Sequence, residues 1–280
     1  MVTSDPDMIN EVFNKQFDNF YARRQPFLTP ANDDHDLITN VSINLFFSSG
    51  KMWKRLRAVS APNFSVNSLK KIRPIVEDSA YHMVSHLSRY ADKEESVDIY
   101  EVFQEFTFDI ISRMVMGQDG SKMFENKLIH DVRQVFVRDF DNTLLHVAGA
   151  FPFIIPCILW IFRNTGFGPV GISQTRKKIR EAVRERIRER EKLLRDCSFN
   201  PNSYSPKDFI DIFLDMYSEE KIDDTGRYST REGFKINKCL NEEEVVEQCM
   251  IFLIAGYDTT STSMAYIVFL LSTHPEAMRR

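Results

Sequence analysis

Residues 241–275 read NEEEVVEQCMIFLIAGYDTTSTSMAYIVFLLSTHP, and their pattern is that of one long helix. Asn241 is a good N-cap, and Glu242, Glu243 and Glu244 favour the positive end of the helix dipole. Glu244 stands three residues after Asn241, the spacing of a capping box. From Val245 to Leu271 the segment is apolar nearly all round, which predicts a helix through the centre of the protein. At about 1.5 Å per residue it is long enough to span a domain. Pro275 marks the next break.

In the middle of this helix lies Ala255-Gly256-Tyr257-Asp258-Thr259-Thr260, which breaks several local rules at once. Gly and β-branched Thr are weak helix formers, and a carboxylate in a buried helix is costly unless partnered. Rules broken together at one place point to function. Gly256 removes a side chain so that something flat or bulky can approach the backbone. Thr259 and Thr260 can bond back to the carbonyls of Ala255 and Gly256, which loosens the ladder and opens a groove. Asp258 beside a hydroxyl forms an acid–alcohol pair able to pass protons. The plainer alternative is a helix–helix contact with a small residue and satisfied threonines.

Working outward, most of the chain also reads as helix. Met8, Ile9, Val12, Phe13 and Phe17 share one face of a helix from Pro6 to Phe20. Residues 21–50 lose periodicity and form a long loop, a length associated with function or mobility. Helices are expected over 51–60, 68–90, 98–116 (stopping at Gly117), 124–145 and 208–218, and residues 221–240 read as a surface connection. Residues 176–195 hold ten basic and four acidic side chains, which read as a solvated face laced by ion pairs at three- and four-residue spacing. The uncharged stretch 147–162, VAGAFPFIIPCILWIF, is too short for an ordinary membrane span and is interrupted by Pro152 and Pro156. Two readings stay open for it: buried helical turns, or a patch that dips into a bilayer or lids an apolar cavity.

Composition sets the outer bounds. Of 280 residues, 43% are apolar and 27% charged, with 36 Lys+Arg against 40 Asp+Glu. Such a chain is neither disordered nor fibrous, and the balance gives no reason to expect nucleic acid. The 23 phenylalanines predict an aromatic-rich core or cavity. Cys157, Cys197, Cys239 and Cys249 form neither a C-x-x-C pair nor a disulfide framework, and no His stands at zinc-ligand spacing from them.

AGYDTT on a long central helix resembles the oxygen-binding motif of the cytochrome P-450 haem-thiolate monooxygenases. Trp53-Lys54-Arg55-Leu56-Arg57 is similar to that family's W-x-x-x-R helix, and Ser60-Ala61-Pro62-Asn63-Phe64 follows in the familiar place. Phe17-Asp18-Asn19-Phe20-Tyr21-Ala22-Arg23-Arg24 resembles the microsomal branch that includes thromboxane synthase and the drug-oxidising enzymes. The resemblance covers essentially the whole chain and implies a mainly α, partial P-450 fold, a single partial domain over 1–280. Its parts would be a substrate-facing loop at 21–50, an apolar lid at 147–172 and the oxygen-binding helix at 241–273.

The resemblance further implies haem, O₂, an apolar organic substrate and electrons from NADPH through a flavoprotein reductase. Asp258 and Thr259 would relay protons. Trp53 and Arg57, four residues apart and so on one helix face, can both meet a carboxylate; the resemblance makes it a haem propionate, with Arg23 for the other. Phe64, Ala255, Gly256 and Thr260 would also face the cofactor. Leu45, Phe46, Phe47, Phe151, Phe153, Ile251 and Ile254 would contact substrate. Lys54 and Arg55 point elsewhere and could dock the reductase. The family places such enzymes on the cytosolic face of the endoplasmic reticulum, with the Phe151–Phe162 patch as a membrane contact.

In this family the iron is held by a Cys thiolate in an F-x-x-G-x-R-x-C loop. None of the four cysteines has that context. The E-x-x-R matches at Glu181/Arg184, Glu185/Arg188 and Glu276/Arg279 are expected to be i,i+3 ion pairs rather than the family's clamp. The expectation is therefore the middle portion of a longer enzyme, inactive alone. The rival is a non-catalytic helical protein that binds a lipid or a partner, or a decayed-gene product.

Overall fold

A computed structural model describes residues 3–20, 43–136, 150–154, 157, 170–195, 208–218 and 239–279. Expectations for Arg23, for the rest of the 21–42 loop, and for most of 137–169 and 219–238 lie outside the described residues. Among the described residues the fold is helical; its β structure is one parallel bridge, Tyr217 to Leu240, closed by Leu240 N–H to Met216 O at 2.7 Å.

The helices in chain order are α1 (Pro6–Asn10), α2 (Gly50–Ser60), α3 (Val66–Asp92), α4 (Ile99–Met116), α5 (Leu128–Phe136), α6 (Val170–Arg195), α7 (Phe209–Leu214), α8 (Glu242–Thr273) and α9 (Pro275–Met278). Local chemistry sets their ends. Asp98 caps α4 by accepting from the N–H groups of Tyr100 and Glu101, and Gly117 closes it in the left-handed region at φ +64°. Asn241 and Glu244 form the expected capping box of α8.

Two predicted helices differ from their expectation. The 6–20 segment starts as α1 but widens into a π-helical turn at Glu11–Lys15 and ends in a 3-10 turn at Phe17–Asn19. The helix expected from Phe124 begins at Leu128. Phe124 itself sits at φ +68°, and the Asn126 side chain accepts from Leu128 N–H to start the helix instead.

The core gathers where α8 crosses α4 and α6. Val245, Val246, Cys249, Met250, Leu253 and Tyr257 of α8 pack with Phe108 and Val115 of α4, Ile179 and Val183 of α6, and Phe209, Ile210 and Phe213 of α7. The first half of α8 is thus central, as its sequence predicts. The second half is not: Tyr266, Ile267, Phe269 and Leu270 are all more than half exposed. Apolarity all round shows that a helix has no polar face; it does not show where along its length neighbours sit.

The basic helix α6 keeps part of its expected solvated face, with Arg188 exposed and Arg186–Glu189 and Arg195–Glu191 paired at three- and four-residue spacing. Its arginines also reach the acidic first turns of α8 and the start of α7. Arg176 pairs with Glu247, Arg180 with Glu243 at 2.6 Å and Arg184 with Glu242 at 2.7 Å. Lys178 meets Asp131 of α5 at 2.9 Å. Arg186 and Arg190 hold Asp211, a fully buried side chain at the start of α7. Arg184, expected to pair with Glu181, pairs across helices instead.

Candidate functional site

The hexapeptide 255–260 divides into two faces. Gly256, Tyr257 and Asp258 turn toward α4. A Cβ on Gly256 would lie 2.9 Å from Ile111 Cδ1 and Cγ1, closer than packed carbons tolerate. Gly256 therefore admits α4, the small-residue helix–helix contact that was the plainer alternative, where a flat or bulky guest was expected. Tyr257 is fully buried, its ring edge-on to Phe108 at 5.9 Å. Its carbonyl accepts from Thr107 Oγ1 at 2.8 Å. Asp258 Oδ1 accepts a 2.7 Å hydrogen bond from the Tyr100 hydroxyl at the start of α4.

Ala255, Thr259 and Thr260 lie on the other, exposed face, followed one turn on by Ser263. Thr259 Oγ1 donates to Ala255 O at 2.7 Å, the expected back-bond. The corresponding Thr260 to Gly256 bond is not among the hydrogen bonds of the described residues, and α8 runs unbroken through the motif. The result is a strip of small and hydroxylated side chains with a carboxylate immediately behind it.

Tyr100 is the residue that sequence reasoning missed. It lies 158 positions from Asp258, and nothing in the local pattern of α4 marks it. Thr262 and Gln104 lie close to its hydroxyl, and burial followed by the bond to Asp258 pushes the phenol above its ordinary range. Among the described residues half-buried Asp258 has no cationic partner within 4 Å, in contrast to the buried Glu244 and Glu247 of the same helix.

Of the proposed cofactor contacts, Trp53 and Arg57 do share one side of α2. The Trp53 ring packs on Phe17 at 5.6 Å, which joins two of the sequence segments that carry the family resemblance. Arg57 is exposed and has no ion pair among the described residues, so its charge remains available to an anionic group. Phe64 does not stand alone as a cofactor contact. Its ring packs on Phe252 at 5.3 Å and Phe209 at 5.8 Å, and Phe252 in turn stacks on Phe213.

Arg55 corrects the sequence reading outright. It is 2% exposed, and its guanidinium grips Glu244 at 2.5 and 3.1 Å and the Cys239 carbonyl at 2.7 Å. It ties α2 to the start of α8 and cannot meet a protein partner.

The suggested substrate contacts fall in three places. Leu45 packs against the core, and its N–H donates to Gln248 Oε1 at 3.3 Å. Phe46 and Phe47 form an edge-on pair held by the Asn44 side chain, which accepts from both their N–H groups at 3.0 Å. Phe151 and Phe153 pair edge-on at 5.9 Å and are exposed. Ile251 and Ile254 are half-buried one turn before the motif.

The sequence model of the family Cytochrome P450 matches residues 1–280. The chain is 37% identical to the Caenorhabditis elegans protein "Putative cytochrome P450 CYP13A3" over 289 residues, covering 100% of this chain and 53% of that protein. It is 37% identical to "Putative cytochrome P450 CYP13A1" over 286 residues, with the same shares covered. It is 38% identical to "Putative cytochrome P450 cyp-13B1" over 283 residues, covering 100% of this chain and 52% of the relative, all from that organism. The chain thus spans about half the length of the curated relatives it matches.

Proposed function

The chain belongs to the cytochrome P450 family, and from that premise we propose that it carries the distal, proton-delivering wall of a haem monooxygenase. The reaction is insertion of one atom of O₂ into an apolar organic substrate, with electrons from NADPH through a flavoprotein reductase. The endoplasmic reticulum membrane, cytosolic side, is the proposed location; no helix of the described residues is long and apolar enough to cross a membrane. The observation that carries the reading is the split motif: an acid held at the back of α8 and a hydroxyl presented at its front, on consecutive residues.

The residues fit a flat, doubly anionic group. Arg57 supplies an uncommitted cation and Trp53 an indole N–H on the same side of α2, suited to a propionate. Ala255 and Thr259 give α8 a low, exposed strip against which a planar ring can lie. Haem, when bound, supplies the activation of O₂ through its iron. The protein's own part is to bind, orient and deliver protons.

Thr259 donates its hydroxyl proton to Ala255 O, so the oxygen faces the open side as an acceptor. A guest placed there can give a hydrogen bond to that oxygen and is held at a fixed height above the helix. Asp258, the next side chain back, exchanges protons with the solvent side and returns them to the front. A carboxylate held by one neutral hydroxyl is suited to this, because that contact can be exchanged without separating opposite charges. Leu45, Phe46, Phe47, Ile251 and Ile254 supply the apolar contacts for substrate.

The test is coupling in the haem-loaded enzyme that contains this chain. Asp258→Asn and Thr259→Ala should each raise hydrogen peroxide released per O₂ consumed, with substrate affinity little changed. Unchanged coupling in both variants would refute the relay.

A further inference from the structure

We propose that Tyr100 is the positioning residue of the relay: it parks the Asp258 carboxylate against α4, and proton delivery requires that this contact be exchanged. The inference rests on the relay reading above and adds the element that controls it.

The argument starts from α4. Three of its residues meet three consecutive residues of the motif: Tyr100 bonds Asp258, Thr107 bonds the Tyr257 carbonyl, and Ile111 fills the space left by Gly256. Thr107 Oγ1 also reaches the carbonyls of Phe103 and Gln104 at 2.9 and 3.2 Å, which fixes its own rotamer. Helix α4 is thus docked on the motif at both ends of the contact, and the phenol of Tyr100 has little freedom. Its hydroxyl gives its one proton to Asp258, and Thr262, one turn further along α8, and Gln104 stand close by.

This arrangement has a directional consequence. With its carboxylate drawn back to α4, Asp258 does not crowd Thr259 on the exposed face. A phenol is a neutral donor, so the contact can be exchanged for water or for another hydroxyl without separating two opposite charges. An arginine in the same place would hold the carboxylate much harder. Half-buried Tyr100 at the first turn of α4 also lies toward solvent, so the contact that holds the acid is within reach of water.

The experiment compares Tyr100→Phe, Thr262→Val and Asp258→Asn in the haem-loaded enzyme, with the carboxyl and carboxylate infrared bands of Asp258 as a readout independent of turnover. Tyr100→Phe keeps the ring and its packing, so thermal unfolding should move little. Losing a hydrogen bond to a charged group corresponds to about a tenfold change. We expect the ratio of peroxide to product to change by about that factor in Tyr100→Phe, with an altered solvent isotope effect on kcat and a shifted Asp258 carboxylate band. Thr262→Val should move the same three quantities in the same direction by a smaller factor, and it keeps the proposal open to refutation if Tyr100→Phe does not fold. If Asp258→Asn leaves coupling unchanged, the relay reading falls and takes this inference with it. If Asp258→Asn uncouples while Tyr100→Phe and Thr262→Val leave coupling, isotope effect and infrared band at wild-type values, the relay stands and only the role of Tyr100 is overturned.

Discussion

The first turns of α8 and its middle solve the same problem in opposite ways. Both place carboxylates inside a helix that packs in the core. At the start, Glu244 faces Arg55 with both side chains 3% exposed, and Glu247 faces Arg176 from a site 1% exposed. In the middle, half-buried Asp258 accepts from the neutral hydroxyl of Tyr100 and has no cation within 4 Å among the described residues. A buried carboxylate gripped by a guanidinium is fixed in place by a charge-assisted pair; one held by a phenol has a weaker, neutral partner that it can exchange. The difference separates acids that assemble the fold from an acid left able to do chemistry.

The largest expected effect breaks the assembling side. Arg55→Ala leaves Glu244 buried and uncompensated, and removing one partner of a buried ion pair costs about 3–5 kcal/mol. Urea unfolding should show that loss. Arg55→Met combined with Glu244→Gln should recover most of it, since Gln at the third position can still complete the capping box and no lone charge remains. A loss under about 1 kcal/mol for Arg55→Ala would mean that the pair is solvated, and the contrast with Asp258 would collapse.

A second, smaller effect tests what the middle of α8 gives to packing. Ala is favoured over Gly in a helix by about 1 kcal/mol, yet a Cβ at 256 must displace Ile111. Overpacking of this kind costs about 1–3 kcal/mol, so Gly256→Ala should be net destabilising by about 1 kcal/mol. Ile111→Ala makes room for the new methyl. The double variant should therefore be more stable than the sum of the singles by about 1 kcal/mol, the size expected for side chains in contact. Stabilisation by Gly256→Ala alone would show that α4 does not approach here.

What the sequence made legible follows from how far each interaction reaches. Helix ends were readable because caps act over three or four residues: Asn241 with Glu244, Asp98 with Tyr100 and Glu101, Gly117 at its positive φ. The motif was readable as a place where rules break, and the Thr259 back-bond follows from spacing alone. Its division into two faces was not, because that depends on which side α4 docks. Arg55 looked like a surface base because its partner stands 189 residues away, and Tyr100 was silent because its partner is 158 away. The pairing of α6 with α8 left a faint signal in the four-residue spacing of Arg176, Arg180 and Arg184, which matches a helix ridge. Local reading treats such a run as solvated, since it cannot see the acidic turn opposite.

That run of arginines also supplies the finest test of the contrast, because it grades from buried to exposed along one helix. Exposure of the side chain rises from 21% at Arg176 to 28% at Arg180 and 52% at Arg184. At the inner end burial pushes the Glu247 carboxyl above its ordinary range even with Arg176 beside it, so losing Arg176 strands a charge that already fits poorly. At the outer end Arg184 and Glu242 both see solvent, and an exposed pair contributes about 0.2–1 kcal/mol. Arg184→Ala should therefore cost at most about 0.5 kcal/mol at low salt and nothing measurable at about 1 M salt, where the screening length falls to about 3 Å. The loss in Arg55→Ala should persist at that salt, because ions do not enter the site. Equal salt sensitivity at the two positions would show that screening reaches both alike, and the distinction between locked and exchangeable carboxylates on α8 would then have to rest on Tyr100 alone.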